Sequence, residues 1–539
     1  MRQKPEYVRL LIRNRILPYT AAEEDALQSA SDLLKKVCGT RPETLQVVRR
    51  SVDARHAPRV MFVYTVLAGI CISPAVAERA LSFRDISLYE DTSLNFEYGN
   101  EVLKGRPVIA GFGPCGMFCA MILAEKGYRP IIVERGGDID ERAAAVKRFY
   151  ETRCPDPDCN VQFGAGGAGT FSDGKLLTRI NDPLCTYVLR RFVEFGAPPD
   201  ILINAKPHVG TDKLCTVVRN IEQYLLQQGC EIRYRTRLDD LISQGNDGVA
   251  CRTGSEKILC GALVLATGHS ARDTYRMLMR RGIATEAKPF SAGVRIEHLQ
   301  TDINRAVYAA AAEDPRLPPA EYSLSAHIGG RGVYSFCMCP GGEVVAAASE
   351  EGGVVTNGMS RHARNGANAN AAIAVSVQTE DFGGTPEGAL NFQRRLEEEA
   401  FRSGGEDYSA PCETLGSFLG LRTANVCTRT EPSYWGGRVR MCGLASILPQ
   451  YMSRTLAEGI RAFDRKLPGF ASPDALLTGV ETRTSAPVRI TRDALTGVSN
   501  SCSLLYPCGE GAGYAGGITS AAVDGIRCAM RLMKRFRPF

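Results

Sequence analysis

Apolar positions change their spacing several times along the chain, and each change marks a segment. Tyr7–Pro18, Leu45–Arg50 and Val60–Leu67 carry the alternation and β-branched content of strands. Ala21–Val37 repeats its apolar positions at helical spacing and stops at Gly39. A small N-terminal α/β module over residues 1–100 is therefore expected, with Arg50-Ser-Val-Asp-Ala-Arg55 as a polar turn between strands. The longest apolar run, Val60–Ile72, is too short to cross a bilayer and reads as strand plus turn.

From Arg106 to Asp273 the order becomes strand, glycine-rich turn, helix, strand, with further alternation of strands and helices. Ala284–Gly479 mixes strands and glycine-rich turns with two long helical stretches, around Pro386–Gly404 and Arg454–Lys466. After Thr484 come a short strand and a final helix, Gly517–Phe536. The fold class predicted is α/β: a Rossmann-type dinucleotide-binding domain formed by residues 101–283 and 485–539. It is interrupted by a mixed α+β substrate or cap domain at 284–484. No internal repeat, heptad run or low-complexity tract is present.

Composition adds mainly exclusions. With 44% hydrophobic and 23% charged residues among 539, the chain is ordinary globular protein. A net charge of +6 is mild at this length and predicts no nucleic-acid partner. The N-terminal MRQKPEYVRLLIRNRIL interleaves arginines with apolar residues, unlike a secretory signal, so a cytoplasmic location and no membrane partner are expected. The 19 cysteines are scattered and include no C-x-x-C, which predicts small buried hydrophobes and no metal site. Cys154-x4-Cys159 does not change this, since spacing alone does not make a metal site.

Pro107-Val-Ile-Ala-Gly111-Phe-Gly113-Pro114-Cys115-Gly116 carries the most chemistry. It is a G-x-G-x-x-G after an apolar strand and before a helix ending at Gly127. A second strand, Pro130–Val133, then ends in Glu134. Gly111 permits the tight turn, Gly113 lets backbone approach a pyrophosphate, and Gly116 and Ala120 let the helix lie close on the sheet. Free amides and the positive helix end stabilise phosphate. Glu134 can accept hydrogen bonds from ribose hydroxyls and would repel a 2′-phosphate, and Arg135 joins it in the expected cofactor set.

Three later features favour FAD over NAD. Glu231–Leu238 and the hairpin after it lead to the apolar strand before Ala266-Thr267-Gly268, a turn that resembles those of glutathione-reductase-type flavoproteins; Leu238, Thr267 and Gly268 are placed with the cofactor. The C-terminal stretch Gly509-Glu510 to Gly516-Gly517-Ile518 resembles that superfamily's second flavin motif. By that resemblance Glu510 meets a ribityl hydroxyl, and the amides of Gly517 and Ile518 face the flavin N1/O2 edge. Third, the glycine-dense loop Phe163–Lys175, with Gly169 and Thr170, permits close backbone approach to a flat ligand.

Over nearly its whole length the chain resembles a bacterial family of FAD-dependent dehydrogenases whose substrates are largely unassigned. The motifs are Ser51–Arg55, Asn160–Lys175, Lys206–Asp212, Ala266–Asp273, Val333–Gly342, Asn357–Ser360, Glu481–Arg489 and the C-terminal glycine segment. Ala165 departs from it, standing where the resemblance leads one to expect an acid. The resemblance implies FAD and redox chemistry, and no substrate.

The insertion is expected to cover the flavin and shape a pocket for a small, anionic or carbonyl-bearing substrate. Arg295 and Glu297, two apart on a strand, share a face; Glu481, Arg483 and Arg489 are either anion binders or members of internal ion pairs. Of His208, His269 and His298, His269 is the candidate for proton transfer, with a cap or core role as the alternative. Lys175, with Asp173, either tunes the flavin electrostatically or is a solvated loop residue. His269, Lys175 and Arg483 form the catalytic candidates. Cys337 and Cys339 are read as packing residues on one face of a strand, a redox relay being the alternative. The expected protein is an FAD-dependent oxidoreductase, with NAD(P)H or a redox partner as transient electron donor or acceptor. A flavin hydroxylase is one alternative, and a non-catalytic FAD-binding electron-transfer protein is the other.

Overall fold

The computed structural model describes residues 4–90, 94–171, 174–178, 180–243 and 249–539. Asp173 falls outside them.

The N-terminal alternation becomes β1 (Glu6–Pro18), with α1 (Glu23–Cys38), β2 (Thr44–Asp53) and β3 (Met61–Ile72) after it. Two further elements, α2 (Pro74–Leu81) and β4 (Ile86–Leu88), complete a split β-α-β unit with antiparallel order β2-β3-β1-β4. Both are too short to show a period, which is why the pattern did not predict them. Ser51–Asp53 extend β2 instead of forming the expected turn. The same strand docks the module on the rest of the chain: Arg50 N–H donates to the Ile203 carbonyl at 2.8 Å, and Ala205 N–H to the Arg50 carbonyl at 2.9 Å.

The nucleotide-binding pattern folds around β5 (Pro107–Ala110), whose four side chains are all buried. A strand covered on both faces is apolar throughout, as in parallel sheets generally. With β6 (Ile131–Val133), β7 (Glu231–Arg233) and β8 (Ala262–Leu265) it forms a parallel sheet. The fifth strand comes from the far end of the chain: Leu505–Pro507 pairs parallel with β8 and gives the order Leu505–Pro507, β8, β5, β6, β7. Glu231–Leu238 is a strand only to Arg233.

Between β5 and β6 lies α3 (Pro114–Glu125), buried at ten of twelve positions and apolar all round. That pattern fits a helix enclosed between sheet and helix. Its outer cover is the C-terminal helix Ile518–Arg535. At Gly525 the two backbones nearly touch: a Cβ there would lie 2.2 Å from the Cys115 carbonyl oxygen.

The insertion leaves through Thr285–Ala287 and returns through Val488–Ile490, and these two segments pair antiparallel with each other. Between them stands a seven-stranded sheet containing β9 (Phe290–Leu299), β10 (Arg331–Cys339), β11 (Asn368–Val377) and β12 (Leu476–Glu481), ordered β10-β11-β9-β12 at its centre. The helices Pro386–Gly404 and Gln450–Asp464 fall on the two predicted helical stretches. Parallel and antiparallel sheets thus coexist in a mixed α/β architecture. Among the described residues no helix is long and apolar enough to cross a membrane.

Gly525→Ala should cost about 1–3 kcal/mol, because the added methyl meets backbone that cannot rotate away. A thermal midpoint equal to wild type would show that the two helices do not pack this closely.

Candidate functional site

Where β5 ends, Gly111 adopts φ 106°, and a Cβ there would lie 2.3 Å from the Ala266 carbonyl oxygen. Only glycine suits that conformation and that approach. The turn aims the start of α3 into a cleft of about 370 Å³ between the parallel sheet and the insertion. No side chain caps α3: Gly113 is its N-cap and Pro114 opens its first turn. The C-terminal helix also begins on the cleft wall, with Gly517 as N-cap and again no side-chain cap. Two helix N-termini without side-chain caps thus line one cavity, an arrangement suited to anionic groups. A Cβ at Gly268, Gly516 or Gly517 would meet nothing within 4 Å, so the wall is open at all three.

Glu134 follows β6 and lines the cleft, buried to 5% exposure. Its carboxylate accepts backbone N–H bonds from Phe112 at 2.8 Å, Gly136 at 2.9 Å and Gly164 at 3.0 Å. It therefore ties the fingerprint turn to the glycine-dense loop. That loop is held from behind by Arg142, on α4 (Ile139–Thr152), which is wholly buried. The Arg142 guanidinium donates to five carbonyls, those of Asn160, Val161, Gly164, Ala165 and Gly167, at 2.7–3.3 Å. Burial brings its pKa down to about 10, and it stays charged at neutral pH. Beside Glu134, Arg135 lies over the Phe163 ring at 4.3 Å and pairs with Asp273.

Across the cleft, Glu510 is half-buried and faces the Gly517 N–H and Lys288. Burial raises its pKa to about 7. His269 Nε2 lies 3.7 Å from Glu510 Oε1. Burial first, then the charges of Arg483, Arg272 and Lys288, hold the imidazole down at about 3. His269 is therefore neutral at physiological pH, and Glu510 is the member of this pair that exchanges a proton near neutrality. Gly509 is fixed differently, donating its N–H to Asp524 at 2.7 Å, while Arg492 clamps the same carboxylate at 2.7 and 2.9 Å.

The insertion supplies the remaining wall: Phe336 and Cys337 from β10, Glu481 from the end of β12, and Arg483 and Thr484 beyond it. Arg483 reaches the cleft with its guanidinium engaged by Glu397 at 3.0 and 3.2 Å and by the Ser349 hydroxyl. Glu397 also binds the buried Arg272 at 2.6 and 2.9 Å, and the two arginines hold its carboxyl far below the usual range. Arg295 and Glu481 are each other's partners through two bonds, at 2.6 and 2.9 Å. For Glu481 and Arg483 the geometry supplies internal ion pairs. Lys175 lines the cleft, its Nζ 4.0 Å from Cys339 Sγ.

A protein of Clostridium beijerinckii described as uncharacterized is 45% identical over 496 residues, spanning 91% of this chain and 92% of that one. The chain belongs to the same family. Within it, residues 289–484 match the profile described as "FAD-dependent protein, C-terminal domain-like". Among solved structures, the amino acid oxidase NikD of nikkomycin biosynthesis overlaps 79% of this chain and 93% of its own at 11% identity and TM-score 0.35. Glycine oxidase from Geobacillus kaustophilus overlaps 81% and 94% at 11% identity and TM-score 0.32. Superpositions that loose carry no argument about chemistry.

The three catalytic candidates, His269, Lys175 and Arg483, share the cleft. So do Gly111, Gly113, Pro114, Cys115, Glu134 and Arg135 from the fingerprint side. Gly169, Leu238, Thr267 and Gly268 join them, as do Glu510, Gly516, Gly517 and Ile518 from the C-terminal segment. Gly116, Thr170 and Gly509 stand behind the wall instead. Gly116 packs on the Gly111 carbonyl, Gly509 on Cys115, and the Thr170 hydroxyl is buried without a hydrogen-bond partner. His298 donates to the Phe470 carbonyl inside the insertion, His208 stacks on His362, and Glu297 binds Asn368 and Ser433; none is on the cleft wall. Arg489 lies over Tyr514, also off it. Sequence reasoning missed Arg142 and Glu397, which sit on helices among other charged residues and carry no local motif.

Arg142→Lys keeps the charge but cannot span five carbonyls. A cost of about 3 kcal/mol or more is expected, with loss of amide-exchange protection over residues 160–171. Protection equal to wild type would remove Arg142 as the organiser of the loop. Glu510 supplies a pH signature. Between its ordinary value of 4.5 and its folded value of about 7, the folded chain keeps a proton the unfolded chain has lost, so its contribution to stability falls as pH rises through that window. Ligand-free wild type should therefore lose thermal stability relative to Glu510→Gln from pH 4.5 to 7 and run parallel above it. A difference independent of pH would contradict the raised value.

Proposed function

We propose that the cleft binds FAD and that the protein is an oxidoreductase acting on a small organic substrate. The observation that carries this reading is the meeting of two uncapped helix N-termini, separated by some four hundred residues of sequence, on one cavity. One suits a diphosphate, and the other suits the edge of a ring that becomes anionic on reduction. The donor set fits the rest of the cofactor. Three of about four lone-pair sites on Glu134 serve backbone amides, which leaves capacity for a ribose hydroxyl. Glu510 offers a carboxyl to the ribityl chain, and the open backbone at Gly516 and Gly517 admits a flat ring.

FAD, when bound, supplies a two-electron acceptor or donor at flavin N5. The chain's own residues set the surroundings. Glu510, with His269 beside it, holds a proton exchangeable near neutrality. The insertion supplies the opposite wall, where Lys175 and the Arg295–Glu481 pair lie by Cys337 and Cys339. Nicotinamide nucleotide is the natural transient donor to test, because the sequence shows a single dinucleotide fingerprint.

Purified protein should show flavin absorbance and bleach with its donor. Glu510→Ala should weaken FAD binding by about 10- to 100-fold, the equivalent of one charge-assisted hydrogen bond. Colourless protein that takes up no FAD on titration would end the proposal.

A further inference from the structure

Cys337 and Cys339 occupy the one place where β10 leaves regular pairing with β11. Phe336 stands opposite Ala372 and Cys339 opposite Asn370, so three steps on one strand answer two on the other. Cys337 absorbs the difference at φ 46°, a left-handed conformation that non-glycine residues adopt only under local constraint. The expected same-face arrangement is therefore replaced. Cys337 turns half-exposed onto the cleft wall, and Cys339 lies fully buried behind it.

The second sulfur sits beside Lys175 and the Arg295–Glu481 pair. Lys175 Nζ and Arg295 Nη1 are each 4.0 Å from Cys339 Sγ, and its thiol donates to the Cys337 carbonyl at 3.3 Å. Arg295 Nη1 donates to that same carbonyl at 3.0 Å, and its charge acts on both cysteines. Cationic neighbours stabilise thiolate, the reactive form of cysteine. The pair divides these features: Cys337 faces the cleft, and Cys339, two residues on, is the one beside Lys175.

We propose that Cys337 and Cys339 are a thiol–disulfide exchange pair and that the substrate class of the cleft is a small organic disulfide or the corresponding thiol. The Cys337 thiolate attacks one substrate sulfur, forming a mixed disulfide and releasing the first thiolate. Cys339 then attacks Cys337 Sγ, forming the internal disulfide and releasing the second thiolate. The two protons of the cysteines end on the two released thiols; the cysteine pair is oxidised and the substrate disulfide reduced. As a statement of substrate class this rests on the flavin reading, whereas the exchange itself requires no cofactor.

The test treats the protein as purified with glutathione disulfide, then alkylates and digests it with trypsin. The peptide 332–361 contains both cysteines and no other. In wild type it should become lighter by two hydrogens and resist alkylation. In Cys339→Ser, glutathione should remain on Cys337, and Lys175→Met should slow the wild-type reaction roughly tenfold. Exposed Cys71 and Cys154 set the reference rate in the same digest. Wild-type Cys337 reacting no faster than these two, with no internal disulfide, would overturn the proposal even if the serine variant failed to fold. Flavin absorbance read on the same sample separates the two readings. An internal disulfide in colourless protein removes only the flavin, and flavin-loaded protein with both thiols intact removes only the pair.

Discussion

The contact between Gly525 and the Cys115 carbonyl is the constraint on which the cleft depends. It brings the C-terminal helix against α3 at backbone distance, closer than any side chain would allow. The same approach seats Leu505–Pro507 beside β8 and carries Gly517 to the mouth of the cavity. Both helix ends then line the same cavity. Cys115 and Cys508, whose sulfurs meet at 3.1 Å, and the Tyr128 hydroxyl, bonded at 2.6 Å to the Phe536 carbonyl, reinforce the same seam. Packing between distant segments thus precedes any chemistry at the site.

Around that seam, charge is arranged so that little of it is left unbalanced. Arg142 is met by carbonyl dipoles, Arg295 by Glu481, and Arg272 and Arg483 by Glu397. A buried arginine without such partners would be costly, and a lone buried carboxylate more so. Alongside these compensated side chains, the backbone dipoles of two helix N-termini contribute to the field inside the cleft. These are fixed by the fold and need no reorganisation when a ligand arrives. The neutral His269 belongs with them, since burial first, and then the charges of Arg483, Arg272 and Lys288, suppress its protonation.

Much of this was legible in sequence where a signal is local. The fingerprint spacing, the acid after the second strand and the glycine segment at the C-terminus each pointed to residues that the structure brings to one cleft. Long helices such as Pro386–Gly404 were visible from periodicity. The eight-residue α2 and three-residue β4 were not, because a period needs several repeats to show. Pairings across hundreds of residues were invisible for another reason. Arg142 meets its loop carbonyls, and Arg483 meets Glu397, only after tertiary packing, and an arginine on a helix surface has the same local pattern as one that is buried. The bulge at Cys337 was hidden too, because a two-residue spacing implies a shared face only while pairing stays regular.

The position of Leu505–Pro507 has a consequence for how the molecule is made. On the ribosome, β8 emerges some 240 residues before the strand that will flank it. Until then it is a bare apolar edge, open to pairing with other nascent chains. The slot for a nucleotide is likewise unfinished until the final helix has cleared the exit tunnel. Closure of the cleft thus waits on the last strand and helix described, and in the interval the edge of β8 stays unpaired.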